Sequence, residues 1–326
     1  HRSSSDTLPT INSCKKIINN ARSLKRKSLI LINGVPGAGK TLVGLKLAHE
    51  DISNQLNGDP ISVFLSGNGP LVEVLQYELR KAGGDGKAFV RNVHEYVSTF
   101  SRSSQSIPPH NVLIFDEAQR AFDAQQVLEK QKNLNPEFSG LSEPEIFIQF
   151  ADRVPDWCVV IGLIGTGQEI HIGEEGGVAQ WKDAILKSKL KDKWDVYIPN
   201  SNSIINDFKE INKLTIEDSL NLSKTIRFHS SIVLYEFVDN LLKGNTEEAS
   251  RLSEELEGTG YNLRMTHNLD MAKQYIQERF ADNNEARYGI VTSSRDKELK
   301  HYGINKGFNS PGEARRGEFG KWYSNS

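Results

Sequence analysis

Cysteine is nearly missing from this chain. Cys14 and Cys158 are the only two, too few and too distant in sequence for a disulfide framework or a zinc site, and both read as ordinary reduced thiols. No apolar run approaches the roughly 20 residues that cross a bilayer, and the start of the chain has no charged segment followed by an apolar signal core. The cytoplasm is therefore the expected location, with no membrane partner. Charge of one sign is not in excess either. The 40 Lys and Arg against 42 Asp and Glu give a net charge of −2, so any binding of nucleic acid has to use a local patch. Internal repeats and low-complexity tracts are absent. The first residue is His rather than Met and the opening HRSSSDT reads as a polar tail, so the sequence is expected to be a piece of a longer protein.

What is present suits a globular α/β protein. The 326 residues, 37% hydrophobic, can bury one large core or two ordinary ones. Short apolar runs bounded by Gly or polar residues recur as SLILIN at 28–33, ISVFLSG at 61–67, AFVRNV at 88–93, NVLIFDE at 111–117, CVVIGLIG at 158–165 and Trp194 to Pro199. Helical stretches are expected from Lys40 to Glu50 and from about Leu71 to Ala82. Apolar strands of this kind suit a parallel sheet covered on both faces. Ser101 to Pro109 and Gln131 to Pro144 read as surface loops.

Three segments are expected. Residues 1–27 form a polar and basic lead, in which Lys15, Lys16, Arg22, Lys25, Arg26 and Lys27 crowd together, either as a solvated helix face or as a nucleic-acid patch. Residues 28–218 form the first domain. Residues 219–326 supply a helix from Ser230 to Lys243, a strand YNLRMTH at 261–267, a helix from Leu269 to Asp282 and a strand RYGIVTSS at 287–294, too few strands for a complete second sheet.

Gly34-Val35-Pro36-Gly37-Ala38-Gly39-Lys40-Thr41 fits G-x-x-x-x-G-K-[ST] at every fixed position, between a predicted strand and a predicted helix. Glycines let backbone N–H groups wrap phosphates, the helix N-terminus adds its positive end, Lys40 reaches the β- and γ-phosphates and Thr41 ligates magnesium. ATP and Mg2+ are the expected ligands. Val112 to Glu117 is an apolar strand ending in two acids, 75 positions after Thr41, the form of a Walker B element in which Asp116 holds magnesium and Glu117 polarises the attacking water. Paired acids at a strand end can also be a solvated turn. Gly165-Thr166-Gly167-Gln168 follows the next strand, which makes Gln168 either a γ-phosphate sensor or an exposed turn residue. Arg227 is either an arginine finger or a surface Arg. His171 has no partner at metal-ligand or triad spacing and reads as structural. The fold expected from these parts is a P-loop NTPase with a RecA-like parallel sheet covered by helices, followed by a partial second RecA-like α/β domain.

DEAQR at 116–120 looks like motif II of superfamily 1 helicases, and GTGQ at 165–168 looks like their motif III. Together with GVPGAGKTLVGL at 34–45, FLSGNGPLVEVLQ at 64–76, GTGQEIHIGEEGG at 165–177 and RYGIVTSS at 287–294, the chain resembles the Schlafen-type DNA/RNA helicase domain over about residues 28–323. The resemblance implies that Gln119 couples the Walker B strand to motif III, that Gln168 senses the γ-phosphate and that Arg227 matches the Arg of motif IV. No segment matches motifs V or VI, and no upstream Gln is placed to read adenine. The expected activity is an ATP-hydrolysing motor core acting on single-stranded DNA or RNA. One rival is a nucleotide-driven switch for a nuclease or effector outside this stretch, in the manner of anti-phage systems. A small-molecule kinase is the other, disfavoured by DEAQ followed by GTGQ.

Overall fold

The inner strands form where the chain is apolar on both faces, as expected of parallel strands roofed by helices. The computed structural model describes residues 2–35, 37–53, 61–103, 105–130, 135–165, 177–222, 231–258, 261–283, 286, 298 and 301. The chain divides into two units, His1–Arg227 and Phe228–Ser326.

The first unit begins with α1 (Arg2–Leu24), β1 (Lys27–Gly34), α2 (Lys40–Ser53), β2 (Ser62–Ser66), α3 (Gly69–Lys81), α4 (Gly86–Phe89) and β3 (Val90–Asn92). It continues with α5 (Val93–Phe100), β4 (Val112–Phe115), α6 (Ala124–Lys130), α7 (Glu143–Arg153), β5 (Cys158–Ile164) and α8 (Ala179–Lys187). Then come β6 (Trp194–Pro199), α9 (Asn202–Phe208), β7 (Leu214–Glu217) and β8 (Asn221–Leu222). The strands order as β3-β2-β4-β5-β1-β6-β7, with β8 added to β1, and each pairing among them is parallel. β1 is central. It pairs with β5 from Lys27↔Cys158 to Asn33↔Ile164, with β6 up to Ile30, and with β8 at Asn33 and Gly34.

The period of two along each strand sorts its side chains into two cores. Leu29 and Leu31 of β1, Leu113 and Phe115 of β4 and Val160 of β5 lie under Tyr96 of α5, Phe147 and Phe150 of α7, Trp181 of α8 and Phe208 of α9. Ile30, Ile32, Ile114 and Ile161 face the other way, against Ile11, Cys14 and Ile17 of α1 and Val43 and Leu47 of α2. The result is an α/β fold consistent with a RecA-like P-loop domain. Parallel strands leave all their carboxyl ends at one edge, so the loops after β1, β2, β4 and β5 converge there.

Several expectations are corrected. Residues 1–27 are no separate polar lead, because Ile11, Cys14, Ile17, Ile18 and Ala21 recur at helical spacing and are buried against the sheet. The basic cluster within them divides: Lys15, Lys16, Arg22 and Lys25 are exposed, Arg26 pairs with Asp195, and buried Lys27 donates to the Val154 carbonyl. The sheet continues beyond 218 through β8, so the first unit outruns the expected boundary. The stretch at 131–144 is not wholly a surface loop. Phe138 is fully buried, and the Ser142–Glu145 capping box opens α7 there.

In the second unit, α10 (Ser231–Lys243), α11 (Thr246–Gly258) and α12 (Leu269–Arg279) are described, with Ala249, Leu252 and Leu256 of α11 buried. The expected strand at 261–267 forms no ladder among the described residues. Met265, which a sheet face would cover, is 94% exposed. The expected strand at 287–294 lies outside the described residues.

Candidate functional site

The loop between β1 and α2 takes its shape from glycine. Gly37 and Gly39 have φ of 79° and 92°, a left-handed region that costs other residues roughly 1–2 kcal/mol. Gly34 answers a different need: a Cβ there would lie 2.9 Å from the Cβ of Leu222 and 3.2 Å from its carbonyl oxygen. The Ala38 N–H donates to the Val35 carbonyl at 3.1 Å, and the Val43 N–H to the Gly39 carbonyl at 2.9 Å, which starts α2. Successive backbone N–H groups turned by left-handed residues at a helix N-terminus make a cradle suited to phosphate. Pro36 lies outside the described residues.

Lys40 opens α2 and is buried, its Nζ donating to the carbonyls of Gly34 at 2.6 Å and Val35 at 3.2 Å. Burial lowers its pKa, against the opposing pull of Glu117 and Asp116. The loop thus holds a cation against its own carbonyls, where an anion could exchange for them.

The acid pair follows β4, which β5 separates from β1. The Asp116 N–H donates to the Leu65 carbonyl at 2.8 Å, which continues the β2–β4 ladder past Phe115. The Asp116 carboxylate accepts from the Thr41 hydroxyl at 3.4 Å and from the Ser66 hydroxyl at 3.5 Å. Burial, and then the charge of Glu117, push its pKa up to about 6, against the Thr41 and Ser66 hydroxyls and the Lys40 ammonium. Ser66 was not singled out from sequence. Its signal was its place as the last residue of a strand adjacent to the acid-bearing one.

Glu117 has φ of 55°, left-handed for a residue with a side chain, a state that persists only where neighbours enforce it. Its carboxylate accepts from Gln119 Nε2 at 2.6 Å and lies 3.7 Å from Arg120 Nε. Gln119 is buried in a single 3-10 turn, Ala118–Arg120, and its Oε1 accepts from the Gly165 N–H at 3.0 Å. The side chain therefore spans from Glu117 to the end of β5. Just beyond this turn, Glu143, 1% exposed, lies 2.9 Å from His94 Nδ1 and accepts from the Phe122 N–H at 2.9 Å, while the His94 ring stacks on Phe122 at 4.4 Å.

The sequence-based site is thus brought together at Gly34, Val35, Gly37, Ala38, Gly39, Lys40, Thr41, Asp116, Glu117 and Gln119. Gln168, His171 and Arg227 lie outside the described residues. Among the described residues no cluster of three or more His, Cys, Asp or Glu could hold a metal. Thr41 and Asp116 instead offer the sparse hard-oxygen pair that suits magnesium, an ion held mostly by phosphates and water. Among the described residues no helix is long and apolar enough to cross a membrane.

No curated protein matches the chain. A family model described as Schlafen group 3, DNA/RNA helicase domain, matches residues 27–325.

Proposed function

The chain belongs to the Schlafen group 3 DNA/RNA helicase domain family, and from that premise we propose that it binds ATP with magnesium and couples ATP hydrolysis to single-stranded DNA or RNA. The observation that carries this reading is the meeting, at one sheet edge, of a glycine-shaped loop, Lys40, a Thr41 hydroxyl on the Asp116 carboxylate and the adjacent Glu117.

In this reading the loop N–H groups bind the phosphate chain and Lys40 leaves the Gly34 and Val35 carbonyls for phosphate oxygens. Thr41 and Asp116 hold magnesium, which supplies neutralisation of phosphate charge. Glu117 accepts the proton of the attacking water, and Gln119 orients that carboxylate. Gln168 as a γ-phosphate sensor and Arg227 as a finger rest on the sequence resemblance.

Steady-state ATP hydrolysis, with and without single-stranded DNA and RNA at one stated salt concentration, tests the reading. Stimulation by either strand supports it. Hydrolysis indifferent to both would overturn the coupling and favour a nucleotide-driven switch for a nuclease or other effector. Absence of hydrolysis in protein that binds ATP would overturn the ATPase itself.

A further inference from the structure

Trp181 of α8 is fully buried and reaches the acid pair from both ends. Its indole N–H donates to the Ala118 carbonyl at 3.0 Å, one residue after Glu117. Its ring stands edge-on to Phe115, one residue before Asp116, with centroids 5.7 Å apart and planes at 68°. One side chain therefore brackets the segment Phe115 to Ala118. Beneath Ala118 there is no slack: a Cβ on Gly162 would come within 3.1 Å of the Ala118 Cβ. The 3-10 turn that carries Gln119 begins at this same Ala118. Glu117 keeps its left-handed φ between Asp116, locked by the Leu65 carbonyl, and Ala118, fixed from above by the indole and from below by β5.

We propose that Trp181 is a positioning residue for Glu117, holding Ala118, the residue after it, so that the carboxylate presents to the loop between β1 and α2. The proposal rests on Glu117 being the proton acceptor of ATP hydrolysis. A buried tryptophan needs an acceptor for its N–H. Here the acceptor is the carbonyl of the Ala118–Gln119 peptide, so the bond fixes Ala118 and the turn it opens, and through Ala118 the backbone that follows the catalytic side chain. Misplacement of a reacting group by about 1 Å costs up to about 100-fold in rate.

The test replaces Trp181 by 3-benzothienylalanine, in which sulfur stands where the N–H was and the ring keeps its shape, with W181F as a second variant. Expected for the isostere are ATP affinity within about two-fold of the native protein and a kcat about 10-fold lower or less still. In a Glu117→Gln background the same replacement should cost nothing further. An unchanged kcat in the isostere protein, with Glu117→Gln inactive, would overturn the proposal while the ATPase reading stands. Equal losses of ATP binding and turnover together with a lowered melting temperature would assign Trp181 to the core alone, and overturn it also. Full turnover in Glu117→Gln would overturn the reading beneath it, and the proposal with it.

Discussion

Replacing Asp116 by asparagine should stabilise the nucleotide-free protein while abolishing its proposed activity, and the gain should depend on pH. The carboxyl is 5% exposed, and burial with the nearby charge of Glu117 moves its pKa from 3.8 to about 6. Below about pH 3.8 both folded and unfolded forms carry the proton, and the residue adds no cost. Between there and about pH 6 the folded form keeps a proton that the unfolded form has lost, so the cost of folding with this group rises as pH rises. Above pH 6 both forms are ionised and the full cost is present. A move of about two pH units corresponds to about 3 kcal/mol. The hydroxyls of Thr41 and Ser66 donate to this carboxylate, and their weaker bonds to an amide return part of that, leaving about 1–2 kcal/mol. For a unit of this size, roughly 2–4 °C in Tm accompanies each kcal/mol. The assay is thermal unfolding of native and D116N protein, without nucleotide or magnesium, from pH 4 to pH 8. D116N should melt higher at pH 8, with the difference closing towards pH 4. A variant less stable than the native protein at pH 8, or a difference flat across the range, would refute the argument that this site stores the cost of a buried charge.

Three further outcomes follow from the same geometry. Lys40→Ala should weaken ATP binding, whereas Glu117→Gln should bind ATP normally and hydrolyse it about 100- to 10,000-fold more slowly, which equilibrium binding and single-turnover assays separate. Gly34→Ala should destabilise the first unit by about 1–3 kcal/mol, because the added Cβ meets Leu222 at 2.9 Å, and should weaken nucleotide binding in parallel; chemical denaturation and titration with labelled ATP measure both. Glu143→Ala should cost about 1–3 kcal/mol by removing the acceptor of the part-buried Phe122 N–H, read as a lowered Tm, with hydrogen exchange rising first at residues 118–122.

The glycine-rich half of the proposed nucleotide site was legible because phosphate-binding chemistry fixes both residue type and spacing. Glycines had to stand where φ is left-handed, and Lys40 and Thr41 had to open the helix that follows. The acid pair was legible for a similar reason, at the end of an apolar strand. The side chains that hold those residues were not. Trp181 lies 64 positions after Glu117 and Ser66 lies 50 before Asp116, and only the strand order β2-β4-β5 brings them alongside. A tryptophan in an amphipathic helix looks like any core residue until its N–H is seen on a particular carbonyl. The same limit explains α1, whose polar opening drew attention from the apolar stripe behind it. It also explains β7 and β8, which are too short and too polar to announce themselves as strands. At 261–267 the alternation of Leu263 and Met265 suggests a strand, but among the described residues this segment has no partner edge, and propensity alone gives no ladder.

The short pairing of β8 on β1 constrains how the protein can be made. β1 leaves the ribosome before the other strands described, yet its neighbours β5, β6 and β8 are encoded about 130, 165 and 190 residues later. Contacts so distant in sequence close slowly, and Gly34 meets Leu222 only after the whole sheet has been synthesised. Of the described strands, the one that leads into the loop before α2 is thus the earliest to emerge and the last to gain all of its neighbours.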